Sequence, residues 1–366
     1  MAGGRLTIDL DALAANYRTL AGMSAPAECA AVVKADAYGI GIEHTVPALA
    51  KAGCRTFFVA LPAEGIAARK AAPDAEVYVL AGPLGGDAIR TFREHRLTPV
   101  LNSKHDIEVW REAGSLPAAL HVDTGMNRLG VTPSEAAAFA AENVGARAIP
   151  LKLVMSHLAC ADDPGHTLNN QQLESFRRVT ALFTGIDSSL ANSAGIMLGG
   201  DFCRDLTRAG IALYGGRAAN EGDNPMRAVV TVEARVLQVR QAAAGSTVGY
   251  GATAKLDRDT TLAIVATGYA DGYHRAASGS GVPLRKAVTA GANGFVAGGR
   301  VPIVGRVSMD LTAFDVSECG KVSPGDWIEL FGPNIPIDEV ADAAGTIGYE
   351  LLTGLGRRYQ RVYVHG

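Results

Sequence analysis

Residues Cys29–Gly41 read CAAVVKADAYGIG, an apolar run of the kind that forms a buried strand, which ends at Lys34 and continues through Asp36 and Tyr38 to Gly39 and Gly41. A buried ammonium loses hydration that must be replaced, so lysine is rarely interior. A lysine at the C-terminal end of such a strand is therefore either surfacing in a loop or in use. Working outward from it, similar runs recur with helical segments between them: AAVVK, TFFVA, EVYVL, LTPVL, AALHVD, LVMSH, SSLANS and DLTRAG. Short apolar strands alternating with helices indicate parallel βαβ units, and eight of them predict closure into a (β/α)8 barrel. An open doubly wound sheet is the weaker alternative, because no G-x-G-x-x-G follows any of the runs.

Past about residue 225 the pattern changes to closely spaced strands with Gly-rich or Asp-rich turns: AVVTVEARVLQVRQ, TLAIVATGYADG, KAVTAGANGFVAGGRVPIVGRVSMDLTAFDV and GDWIELFG. Crossover helices have no room there. The expected architecture is α/β: an N-terminal barrel over residues 1–228, then a mostly antiparallel β domain over 229–366. The first strand, within residues 5–10, has no place in an eight-strand count, which leaves the second domain open to it.

Of the 366 residues 48% are hydrophobic, enough for a large core, and 34 basic against 37 acidic side chains give a formal net charge of −3. No run of one sign marks a nucleic-acid or anionic-membrane surface. The five cysteines are scattered and contain no C-x-x-C pair, which argues against a disulfide framework or a zinc site. The N-terminus lacks the charged and apolar regions of a signal peptide, and no apolar stretch approaches the roughly 20 residues of a membrane helix. A cytoplasmic protein without a metal is expected.

Barrel active sites lie at the C-terminal strand ends. Lys34 follows the first strand, Arg128 lies in HVDTGMNRLG after the fifth, His157 ends the sixth, Ser193 follows the seventh, and Arg208 with AGIALYGG closes the eighth. Singly, each has an ordinary reading as a solvated charge or a hydrogen-bonded structural residue. Together at one mouth they are harder to explain that way. The small-residue segments ANSAG and RAGIALYGG suit backbone binding of a phosphate, and a phosphate site beside a lysine suggests pyridoxal phosphate, whose aldehyde bonds to lysine.

VVKADAYGIG, HVDTGMNRLG, TRAGIALYGG, GYADGY and GRVSMDLTAFDV together resemble the signatures of the alanine racemase family, in the family's order and across nearly the whole chain. The resemblance implies a barrel plus β domain, pyridoxal phosphate, a homodimer with shared sites, and interconversion of L- and D-alanine for peptidoglycan. It makes Lys34 the cofactor-bonded lysine and one of two catalytic bases. Tyr269 is the implied second base, reaching the site from the partner subunit. Two bases on opposite faces of the α-carbon serve both directions. A tyrosine, with an ordinary pKa near 10, is a poor base unless its phenolate is stabilised, and the resemblance assigns that support to His157 and Arg208.

Arg208 is also implied to face the pyridine nitrogen. It cannot readily give up a proton, so the ring remains a restrained electron sink and side reactions are disfavoured. Tyr38, Ser193, Gly210, Ile211 and Tyr349 match positions that hold the cofactor phosphate; Arg128 and the Met309 backbone match those that bind the substrate carboxylate. Without the resemblance, Tyr269 and Tyr349 read as core or turn aromatics, Met309 as packing and Asp310 as a turn cap. The family often carries a carbamylated lysine seven residues before Arg128, where this chain has His121. A histidine supplies no such anion, so a chloride, a water or Asp123 is expected in its place. The other readings are a serine or broad-specificity racemase, a barrel decarboxylase, which would be expected to place an acid where Arg208 stands, and a non-catalytic pyridoxal phosphate carrier, which would need no second domain.

Overall fold

The computed structural model describes residues 3–85, 88–112, 114, 116–145, 148–281 and 291–365. Residues 286–290, at the head of the KAVTAGANG segment, lie outside them. The chain divides into two compact units, one of residues 13–213 and 217–226 and one of 1–12, 214–216 and 227–366.

The chain starts with β1 (Gly4–Asp9). Each of the eight apolar runs then contributes a strand: β2 (Glu28–Val32), β3 (Thr56–Val59), β4 (Glu76–Val79), β5 (Thr98–Leu101), β6 (Ala118–His121), β7 (Leu151–Met155), β8 (Asp187–Ser189) and β9 (Leu206–Ala209). They form one parallel sheet in the order β8-β7-β6-β5-β4-β3-β2-β9. The ring closes where Asn192 pairs in parallel with Arg208 and the Arg208 N–H donates to Ala191 O at 2.9 Å. Strands packed on both faces must be apolar throughout. All four residues of β3, for instance, are buried, and Phe57, Phe58 and Val59 have no exposed surface.

In the other unit β10 (Val230–Ala242) pairs antiparallel with β1, and β1 pairs in parallel with β18 (Gln360–Val364). Between β10 and β18 run a two-stranded ladder of β11 (Thr247–Val248) and β12 (Ala254–Lys255), then β13 (Thr260–Val265), β14 (Asn293–Val296), β15 (Gly299–Pro302), β16 (Thr312–Asp315) and β17 (Trp327–Phe331). The large sheet runs β15-β14-β17-β10-β1-β18, with β13 joining β10 to β16. Its strands alternate buried and half-exposed positions, as in β10 from Val230 to Val236, the pattern of a sheet with one covered face. No helix among the described residues is long and apolar enough to cross a membrane.

Candidate active site

The C-terminal ends of the barrel strands gather the expected polar residues. Lys34 follows β2, His121 ends β6, His157 lies just past β7, Ser193 follows β8, Arg208 is in β9, and Gly210 comes directly after it. The loop after β6 folds back through a bridge between Val122 and Val131 and presents Arg128. Asp123 organises that loop: its Oδ1 accepts the N–H groups of Gly125, Met126 and Asn127 at 2.9, 2.9 and 3.1 Å. Asp123 Oδ1 is thus occupied by backbone, and among the described residues no ion pair joins Asp123 to Arg128. The expectation that it orients Arg128 gives way to this local reason. Among the described residues no carboxylate forms an ion pair with the exposed Arg128 guanidinium, which leaves its fork open to a carboxylate ligand.

Arg208 is the most buried cation, 3% exposed. Its guanidinium donates to Ser189 Oγ at 2.5 Å, Ser156 O at 2.6 Å, Leu190 O at 3.3 Å and His157 Nδ1 at 3.3 Å. Every one of these acceptors is neutral. Burial pulls the arginine pKa down to about 9, so it is still charged near neutral pH. A buried charge with only neutral partners is costly in a folded chain, which makes the position suited to an electron-rich ligand atom.

The two histidines are set in opposite tautomers. Burial, with the charges of Arg208, Arg128, His121 and Lys34, holds His157 well below its ordinary pKa, so the ring is neutral. Arginine has only donors, so His157 Nδ1 must accept and its proton sits on Nε2. His121 Nδ1 lies 2.8 Å from Asn102 Oδ1. The Asn102 amide nitrogen donates to Leu80 O and Val100 O, both at 2.9 Å. This orients the oxygen toward His121, which therefore carries its proton on Nδ1 and leaves Nε2 as an acceptor. Here, where the sequence resemblance would place a carbamylated lysine, stands a neutral acceptor.

Burial, then the charge of Arg208, lowers His121 to about 4; Arg128 adds to the lowering and Asp123 opposes it. The unfolded histidine, at about 6.5, takes up a proton that the folded one refuses. The stability contribution is therefore full above pH 6.5 and is lost as pH falls toward 4, by about 3 kcal/mol. His157 acts in the same direction. Urea unfolding at pH 7 and pH 4.5 should show the native chain losing more stability than a His121→Gln variant; equal losses would remove His121 as a source.

Lys34 is destabilised as an ammonium mainly by burial and then by Arg128, while Glu64 acts the other way. The chain beyond it is not the right-handed helix that KADAY suggests. Ala35, Asp36, Ala37 and Tyr38 all have φ of 54 to 55°, a left-handed turn that costs about 1–2 kcal/mol per residue without glycine. Its bonds run from Ala37 N–H to Val33 O at 2.9 Å and from Gly39 N–H to Ala35 O at 2.8 Å. Asp36 Oδ1 accepts Ile42 N–H at the exit, at 2.8 Å. Backbone strain of this size persists only where the surroundings over-determine it, and it concentrates at functional sites.

The turn delivers Tyr38, which is 5% exposed. A Cβ on Gly210 would stand 2.6 Å from the Tyr38 hydroxyl oxygen, so only glycine lets the two approach. Ser193 Oγ accepts the Gly210 N–H at 2.8 Å and the Ala212 N–H at 3.4 Å, leaving its own O–H to donate. The Tyr38 and Ser193 hydroxyls thus converge beside the Gly210 backbone, a setting that fits a phosphate. Ile211 follows in the same short turn, 1% exposed. These groups, with Lys34 and Arg208, are chemically suited to pyridoxal phosphate.

Tyr269, Met309 and Tyr349 belong to the other unit and are 43%, 53% and 38% exposed. Tyr269 and Met309 are held as one piece: Tyr269 N–H donates to Ser308 O and Ala270 N–H to Met309 O, each at 3.0 Å. A Cβ on Gly268 would fall 2.2 Å from Ser308 O, so the close approach requires glycine. Asp271 accepts the Gly268 N–H at 3.0 Å, and Arg358 ties Asp271 (3.0 Å) to Asp310 (2.7 Å). Asp310 thus holds this platform rather than simply capping a turn. Sequence reasoning missed Asn102 and Glu64. Asn102 ends its run where other runs carry site residues, a usable signal, whereas Glu64 in LPAEG reads only as a helix start.

Residues 8–218 match the alanine racemase N-terminal domain and residues 229–363 the C-terminal domain. The chain is 54% identical to an alanine racemase of Rhizobium meliloti, covering 100% of this chain and 98% of that one. It is also 54% identical to a biosynthetic alanine racemase of Agrobacterium fabrum, covering 98% and 93%. Among solved structures, an alanine racemase from Bartonella henselae with covalently bound pyridoxal phosphate superposes with a TM-score of 0.90 at 41% identity over 100% of both chains. The chain belongs to the alanine racemase family.

Proposed function

We propose that this chain is a pyridoxal phosphate-dependent alanine racemase that interconverts L- and D-alanine in the cytoplasm, supplies D-alanine for peptidoglycan, and works as a homodimer with shared sites. The observation that carries the reading is Lys34: a lysine at a barrel strand end, weakened as an ammonium by burial and by Arg128, in a chain of this family. Bound pyridoxal phosphate joins its aldehyde carbon to an amine and draws electrons from the adjoining Cα, which acidifies the Cα–H.

The chain's residues divide the remaining work. The Tyr38 and Ser193 hydroxyls, the Ile211 N–H, the Gly210 N–H that Ser193 Oγ now accepts, and Tyr349 would hold the phosphate. Arg128 and the Met309 backbone receive the substrate carboxylate. Lys34 Nζ takes or returns the α-proton on one face; its lowered pKa keeps more of the amine neutral and able to accept. Tyr269 of the partner subunit does the same on the other face. The proton on His157 Nε2 gives a donor for the phenolate oxygen, and Arg208 supports that imidazole through Nδ1. Arg208 would hold the cofactor's ring nitrogen by donating to it without surrendering a proton, which would restrain electron withdrawal.

The test is an absorption spectrum of the purified protein followed by chiral assays with L-alanine and L-serine separately. A lysine-bound cofactor band with D-alanine formed faster than D-serine is the expected result. The band without racemisation would replace this reading with a cofactor carrier, and faster D-serine formation would replace the substrate.

A further inference from the structure

We propose that Glu64 is a positioning residue for Lys34, holding the entry of the left-handed turn so that the amine stands where the proposed reaction needs it; this rests on the role of Lys34 proposed above. Glu64 lies in the helix Pro62–Ala71 that follows β3. Its Oε2 accepts the N–H groups of Ala60 and Leu61 at 2.8 and 3.1 Å, ordinary work at the start of a helix. Its Oε1 reaches across to the N–H of Ala35 at 2.7 Å. That is the first backbone donor after Lys34 and belongs to the first of four consecutive non-glycine residues at positive φ.

The Ala37 N–H reaches back to Val33 O across the entry, Val33 N–H is paired with Phe58 O, and Asp36 holds the exit. The Ala35 N–H is bonded instead to the Glu64 carboxylate, which fastens the first positive-φ residue to the end of the neighbouring strand. Only an acceptor at both oxygens does this. A glutamine would turn an N–H₂ group toward either Ala35 or the Ala60–Leu61 pair and lose one end of the clamp. The carboxylate charge also acts on Lys34 against burial and Arg128, so Glu64 sets both where the amine is and how readily it holds a proton.

The experiment compares the native chain with Glu64→Gln, Ala35→Gly and the double variant. Steady-state racemisation is measured on each holoenzyme, and acetylation of Lys34 against pH on each cofactor-free protein, followed by mass spectrometry. Glu64→Gln should lower kcat about 10- to 100-fold with KM for alanine changed little, and should move the Lys34 acetylation midpoint downward. Glycine at position 35 accepts positive φ without steric cost, so the double variant should recover part of the lost kcat. A Glu64→Gln protein with a lower melting temperature but unchanged kcat, unchanged acetylation profile and no glycine rescue would show a helix-start role alone and overturn the proposal. A native chain that fails to racemise alanine would instead overturn the functional reading, with the acetylation profile still deciding whether Glu64 governs Lys34.

Discussion

Lys34→Ala should lower racemisation by about 10⁴-fold or more, because on the proposed mechanism one substitution removes both the covalent anchor of the cofactor and one of two proton-transfer groups, the latter alone worth about 10²–10⁴. The fold should survive. Lys34 is half-buried, its ammonium is disfavoured where it stands, and alanine removes a desolvated charge rather than a packed apolar group. The residues proposed for the phosphate, Tyr38, Ser193 and Gly210, meet one another without the Lys34 side chain, so the variant should still bind the cofactor, more weakly and without a covalent link. Borohydride reduction and peptide mapping would locate the link on the Lys34 peptide of the native chain and nowhere in the variant. Small added amines should restore part of the activity by replacing the missing base. A Lys34→Ala protein that racemises alanine without added amine would overturn the assignment.

How far the sequence reaches can be judged from the same strand ends. Most barrel strands were legible because a strand covered on both faces is largely apolar, and TFFV or EVYV carries that requirement locally. Lys34, His157, Ser193 and Arg208 were legible because they interrupt those runs at one end. The left-handed turn was not. KADAY contains good right-handed helix formers and no glycine before Gly39, and the carboxylate that takes its Ala35 N–H comes from Glu64, 29 residues away. Histidine tautomers are equally nonlocal: His121 and His157 look alike in sequence, yet Asn102 Oδ1 accepts from the Nδ1–H of one and Arg208 donates to the bare Nδ1 of the other. The short β8 shows the same limit at an element boundary. SSLANS reads as one strand, but the regular ladder covers only Asp187–Ser189, and the chain continues to Asn192 as the bridge that closes the ring.

Tyr269→Phe should separate structure from chemistry most sharply. The change deletes one oxygen from a side chain that is 43% exposed, and its backbone is fixed through Ser308 and Met309 whatever the ring carries. Stability should therefore move by no more than about 0.5 kcal/mol, and the lysine-bound cofactor should remain. Racemisation should fall by about 10²–10⁴-fold, the range of one positioned proton-transfer group. The loss should also be asymmetric. With Lys34 still serving one face of the α-carbon, a single enantiomer of alanine should go on exchanging its α-proton with solvent, while the other exchanges slowly and little inversion occurs. Following α-deuterium wash-in separately from L- and D-alanine by mass spectrometry reads this directly. Equal loss of exchange from both enantiomers would mean that the phenol positions the substrate or cofactor instead of moving a proton, and unchanged racemisation would remove Tyr269 from the reaction and return it to an exposed turn aromatic.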